Sequence, residues 1–150
     1  MESTGVPTFA CVPYTSGEGN VEKCPSSCAD SGPAPGPDHR KKPTFYKATN
    51  IHYITNPKDV QMHLMQGGSV EAHLDVYDDF HSYKSGIYVH THGAYSGGHA
   101  VKIIGWGNQN GTDYWVVANS WGTDWGMNGV FWIKFGQCSI DSECHSGDPQ

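Results

Sequence analysis

Gly97-Gly-His-Ala-Val-Lys-Ile-Ile-Gly-Trp-Gly107, followed shortly by Tyr114-Trp-Val-Val-Ala-Asn-Ser-Trp-Gly-Thr-Asp-Trp125, decides how the rest of the chain is read. Two apolar runs, Ala100 to Trp106 and Tyr114 to Ala118, each meet one polar residue at an end: His99 before the first and Asn119 after the second. The connection between them holds Gly107, Gly111 and the turn pair Asn110-Gly111, so the runs fold back as antiparallel neighbours. His99 and Asn119 are then expected side by side. A carboxamide oxygen beside one imidazole nitrogen fixes the tautomer and leaves the other nitrogen to serve a nucleophile.

Outward from this hairpin, Val70, Ala72, Leu74 and Val76 alternate with Glu71, His73 and Asp75, the period of a strand with one buried face. Asn56-Pro57-Lys58-Asp59 has the cap, the first-turn proline and the early acid of a helix start, and Gly67-Gly68 supplies the stop. Val60, Leu64 and Met65 should share the apolar face of that helix. Further strands are expected over 44–54, 86–90 and 130–135, with a turn or single helical turn over 78–83. Mostly antiparallel strands with one short helix give an α+β fold, β-barrel-like, over residues 44–150. Residues 1–43 are rich in Pro, Gly and Ser, as in Ser31-Gly-Pro-Ala-Pro-Gly-Pro37, and read as a loop region held by disulfide.

The 150 residues suffice for one packed domain, and no apolar run approaches the ~18 residues of a membrane span. A net charge of −6 argues against a nucleic-acid partner, and Arg40-Lys41-Lys42 is too short to reverse it. Five cysteines, an odd set of Cys11, Cys24, Cys28, Cys138 and Cys144, suit an oxidising compartment better than the cytosol.

Gly-Gly-His-Ala at 97–100, Asn119-Ser-Trp-Gly122 and Trp125-Gly126 together resemble the C-terminal half of papain-family cysteine peptidases. Cys11-Val-Pro-Tyr14, Lys23-Cys-Pro-Ser-Ser-Cys28, residues 76–88 and Gln137-Cys-Ser-Ile-Asp-Ser-Glu143 extend the resemblance over most of the chain, toward the cathepsin B-like branch. The resemblance implies the β-rich half of that fold, with His99 as general base and acid and Asn119 as its orienter. It implies that Trp121 covers the contact between them and that Trp125-Gly126 floors the leaving-group side. Gly97 and Gly98 would leave room for substrate backbone. Ala100 and Glu143 would line the pocket for the second residue before the scissile bond, where an acid admits Arg as well as apolar side chains. A Cys11–Cys28 disulfide is implied, with Cys24 left over; a bond between Cys138 and Cys144 is a guess.

The family's Cys-Gly-Ser-Cys-Trp nucleophile segment and the glutamine before it do not occur in this sequence. Family spacing puts the thiol ~130 to 150 residues before the histidine, hence before Met1. No signal peptide is visible at Met1-Glu-Ser-Thr4, so a fragment or a misassigned start is expected for a family delivered through the secretory route. Only twelve residues, none of them histidine, separate Cys11 from Cys24, too few for an occluding loop, which implies endopeptidase action.

The implied partners are peptide and protein substrates, the N-terminal half of the peptidase and cystatin-like inhibitors, in a lysosome-like acidic vesicle or outside the cell. No cofactor and no metal are expected: His90-Thr-His92 offers two alternating histidines without further placed ligands. There is no Gly-x-Ser-x-Gly elbow, and Asn110-Gly-Thr112 is a glycosylation sequon on an expected exposed turn. The alternative is a non-catalytic papain-fold protein that binds peptides or inhibitors, which would have no chemical need for His99 and Asn119.

Overall fold

Helix α1 (Pro57–Gly67) begins where the cap residues place it. The Asn56 side chain accepts from the Asp59 N–H at 3.0 Å, and its Nδ2 donates to Asp59 Oδ2 at 2.6 Å. Pro57 occupies the first turn, where its missing N–H costs no helical hydrogen bond. Gly68, with φ 101°, ends the helix in a conformation that suits a residue without Cβ. Val60 is fully buried and Leu64 packs against the core, but Met65 is 71% exposed, so the apolar face is narrower than the sequence suggests.

The computed structural model describes residues 5–9, 11–17, 19–20, 23 and 45–149. Most of the expected loop region lies outside them, Cys24, Cys28 and Arg40-Lys41-Lys42 included. The chain divides into two compact units, Met1–Thr49 with Asp148–Gln150, and Asn50–Gly147. In the first, β1 (Val6–Pro7) pairs antiparallel with β2 (Phe45–Tyr46). Cys11 there is buried and disulfide-bonded, while its expected partner Cys28 is outside the described residues.

Most of the larger sheet lies in the second unit. Its strands are β3 (Ala48–Ile54), β4 (Val70–Tyr77), β5 (Ile87–Tyr88), β6 (Tyr95–Gln109), β7 (Thr112–Ala118), β8 (Val130–Lys134) and β9 (Cys144–Pro149). They lie in the order β3-β9-β4-β6-β7-β8-β5. The expected α+β fold of mostly antiparallel strands is present, with two differences. The sheet is open, with β3 and β5 at its edges, and β5 runs parallel to β8. Nor is the strand over 130–134 the last one: β9 follows and pairs with β4 through Glu71↔His145 and Ala72↔Cys144.

The hairpin is longer and tighter than the apolar runs alone suggest. Asn110 and Gly111 have φ of 52° and 81°, the two left-handed residues of a two-residue turn whose twist matches that of paired strands. The Asn108 side chain closes it, accepting from Gly111 N–H at 3.2 Å and donating to Asp113 at 2.7 Å. The polar residues that hid these strand ends therefore hold them together.

One face of the sheet is the core. Val70, Ala72 and Leu74 of β4, Ile103 of β6, Trp115 and Val117 of β7, and Phe131 and Ile133 of β8 are fully buried. Truncating one of these, as in Leu74→Ala, costs about 2–5 kcal/mol in transfer and cavity terms. Trp115 is anchored by Asp141, which accepts from its Nε1 at 3.1 Å and from Gly136 N–H at 2.9 Å. Among the described residues, Cys138 and Cys144 are not bonded to each other. Cys138 and Cys144 are free, Cys138 sits in a left-handed conformation at φ 51°, and the Cys144 thiol donates to the Ile140 carbonyl at 3.4 Å.

Candidate active site

Strand alternation puts His99 in the same inward row as buried Val101 and Ile103, at the end where that row reaches the surface. Leu74 stands opposite on β4. Asn119 follows the last residue of β7, with its N–H donated to the Gly129 carbonyl at 2.8 Å. His99 Nε2 and Asn119 Oδ1 are 2.8 Å apart.

Which nitrogen carries the proton follows from a second contact. The Ser120 N–H donates to the same Asn119 Oδ1 at 2.8 Å, so the atom facing the ring is an acceptor and Nε2 must be the donor. Nδ1 is left with its lone pair and has no hydrogen bond among the described residues. Asn119 Nδ2 is buried without a hydrogen-bond partner there, which carries a desolvation cost of about 1–3 kcal/mol.

Trp121 stacks on the His99 ring at a centroid distance of 5.2 Å and 24°. It is itself braced edge-on by Phe80 at 5.5 Å and by Trp125 at 5.1 Å. Phe80 is buried in α2 (Asp78–His81), amid Tyr83, Tyr88 and Phe131 as well, so an aromatic cluster fixes the lid over the imidazole–carboxamide pair. Excluding water there strengthens the 2.8 Å contact.

Gly98 and Ala100 fall on the opposite face of β6, whereas Gly97 shares the row of His99. Gly98 pairs with Asp75 and Ala100 with His73, and the His73 N–H donates to the Glu143 carbonyl at 3.1 Å. A Cβ on Gly98 would lie 2.9 Å from His73 Cε1, so this glycine makes room for an imidazole of its own fold. Gly97 has open space beside it but a φ of 133°, which a side chain would strain. Glu143 and Ala100 are exposed. The sequence reading missed His73, whose Nε2 lies 3.1 Å from Asp75 Oδ1, while Asp75 also accepts from Ser139 at 2.6 Å. The Ser139 hydroxyl is the main reason the Asp75 carboxyl is held below its usual range.

It also missed Asp79. Its carboxylate accepts from Tyr88 at 2.6 Å, Thr91 N–H at 3.0 Å and His92 N–H at 3.3 Å, and faces His90 Nδ1 at 3.0 Å. Burial pushes it up, but these hydrogen bonds hold it well below the ordinary carboxylate range. Tyr88 is pushed far up in return, chiefly by burial. Of the alternating pair, the His90 ring thus faces this carboxylate at 3.0 Å, while the exposed His92 ring lies 3.9 Å from it and 2.9 Å from Thr91 Oγ1.

Neither free thiol suits a nucleophile. Burial pushes Cys138 up to about 11 and Cys144 up to about 12, so both stay protonated near neutrality.

The profile of the papain family cysteine protease domain matches residues 1–147. This chain belongs to the papain family of cysteine proteases. Among its relatives, it is 41% identical to a gut-specific cysteine proteinase of Caenorhabditis elegans, over 95% of this chain and 44% of that one. It is 39% identical to cathepsin B-like CP3 of Giardia intestinalis, over 98% of this chain and 48% of that one. Its fold superposes on proCathepsin B S9 from Trypanosoma congolense with a TM-score of 0.77 at 33% identity, covering 99% of this chain and 50% of that one. The papain-family chain here thus spans about half the length of the relatives it matches.

Proposed function

We propose that this chain supplies the histidine half of a cathepsin B-like cysteine endopeptidase. The observation that carries the reading is the 2.8 Å contact of His99 Nε2 with Asn119 Oδ1, beneath Trp121 and with Nδ1 unbonded among the described residues. A thiol from residues outside this sequence gives its proton to His99 Nδ1, and the thiolate attacks the peptide carbonyl carbon. The imidazolium then protonates the departing amine as the C–N bond breaks. Imidazole next takes a proton from water, hydroxide attacks the thioester, and the thiol leaves with that proton. Asn119 holds the ring aligned through both transfers.

Ala100 and Glu143 line the pocket for the second residue before the scissile bond in this reading, and the short segment from Cys11 to Cys24 leaves the cleft open. Peptides and proteins are the substrates, cystatin-like proteins the inhibitors, and an acidic vesicle or the extracellular space the setting.

The test is turnover of a dipeptidyl-arginine amide. The 150 residues alone should give none, and co-folding with a thiol-bearing papain-family N-terminal half should give turnover that a thiol alkylator abolishes. Alkylator-sensitive cleavage by the pure chain would overturn the placement of the thiol outside it. A correctly co-folded complex that stays inert would overturn the enzyme.

A further inference from the structure

Trp121 carries two imidazoles. His81, the last residue of α2, is exposed and stacks on the indole at 5.2 Å and 10°, nearly parallel. His99 stacks on the same indole at 5.2 Å and 24°. The two rings are therefore no farther apart than twice that distance. His81 is also held in register: Trp125 Nε1 donates to its carbonyl at 3.0 Å, and its neighbour Phe80, 1% exposed, packs on both tryptophans.

We propose that His81 is a positioning residue that sets the proton affinity of His99 through the shared indole, its own charge opposing the charge on His99. An imidazolium is attracted to an indole face, and a second cation on the same indole competes for that attraction and repels the first. With the rings at most about 10 Å apart and an effective dielectric between about 20 and 80, the repulsion expected between two such charges corresponds to about 0.3 to 1 pH unit. The acidic groups on the same helix as His81 are Asp78 and Asp79. Asp79 is committed to Tyr88, Thr91, His90 and His92. Asp78 is committed to Ala94 N–H at 2.8 Å and the Ser96 hydroxyl at 2.8 Å. Its carboxyl is held below the usual range first by those two bonds and then by His81. Asp78 keeps its negative charge while making those bonds and offsets part of the charge on protonated His81; the remainder acts on His99 across the indole.

The consequence for catalysis rests on the peptidase reading: as pH falls and His81 gains its proton, the thiolate–imidazolium pair is weakened, giving the enzyme a brake on its acid side. The coupling itself does not rest on that reading, and it is measured without turnover. In an NMR titration of the histidine ring protons of the 150-residue chain, His81→Gln should raise the His99 midpoint by about 0.3 to 1 unit. His81→Lys, charged throughout, should leave it at or below the wild-type value. By reciprocity His99→Gln should raise the His81 midpoint by the same amount. A His99 midpoint that moves by less than about 0.1 unit in His81→Gln would overturn the proposal. So would unequal reciprocal shifts, which would mean that the substitution displaced the ring. Coupling in a chain that never yields a peptidase keeps this inference and removes the enzymatic one; turnover without coupling does the reverse.

Discussion

His99 and His90 are two part-buried histidines of one domain, each with an aromatic ring stacked on it and one ring nitrogen at hydrogen-bond distance from a side-chain oxygen. What differs is the partner. His90 lies 3.8 Å from Tyr77 and faces Asp79, a carboxylate 7% exposed and kept ionised by three further donors. His99 faces a neutral carboxamide whose oxygen is already aimed by Ser120 N–H. A carboxylate at 3.0 Å ties the ring into the structure. A carboxamide neither gives nor takes a proton, so it orients the ring and leaves its other nitrogen to do chemistry.

The largest effect expected from this contrast is on turnover. In the thiol-complemented peptidase, His99→Ala should lower kcat/KM by roughly 10²–10⁴-fold, the worth of a positioned general acid–base. Because His99 is at the edge of the core, the melting temperature should stay near wild type. His90→Ala should do the opposite, lowering the melting temperature while turnover per folded molecule holds. Equal losses of turnover in both variants would break the comparison.

The next effect is on stability. Asp79→Asn replaces an ionised acceptor of several hydrogen bonds by an amide that must turn an NH₂ toward at least one donor, which should cost roughly 3 kcal/mol in a denaturant melt. The pH dependence follows from the direction of the shift. Asp79 is held below its unfolded value, so its stabilisation is fully present above about pH 4 and is lost as pH falls through the native value. Asp75 is lowered too and adds in the same window. The wild-type chain should therefore lose stability on acidification below about pH 4, and Asp79→Asn should flatten that slope. An unchanged slope would mean that the Asp79 network is not what acid undoes.

These two regions were unequally legible in the sequence, for a physical reason. The Asn56 cap, the alternation over Val70 to Val76, the Asn110-Gly111 turn and the pairing of His99 with Asn119 are all written within a few residues or across one hairpin. Asp79 is satisfied by groups nine to thirteen residues away in an irregular segment, and nothing in its own neighbourhood distinguishes it from a surface acid. Strand β9 is likewise silent: Cys144-His-Ser-Gly-Asp-Pro149 has no apolar alternation and is extended because β4 offers it a partner. The barrel-like closure failed on the same account, since whether edges meet is a property of the whole sheet. His73 was visible as a polar strand residue, but only the missing side chain of Gly98, one strand away, explains where its ring goes.

The smallest effect expected is at Glu143, where the exposed face allows a bound to be set. The resemblance gives this carboxylate the role of pairing with an arginine side chain of the substrate, and the structure leaves it exposed, with its backbone carbonyl accepting from His73 N–H. An exposed ion pair is worth about 0–1 kcal/mol, because water screens it and two long side chains must be ordered to form it. Glu143→Gln should then reduce the preference for Arg over Leu at that position by no more than about fivefold, with kcat for the Leu substrate unchanged. A hundredfold loss in Glu143→Gln would instead mean that substrate and enzyme together dry the pocket, and that the contact is a buried pair rather than a solvated one.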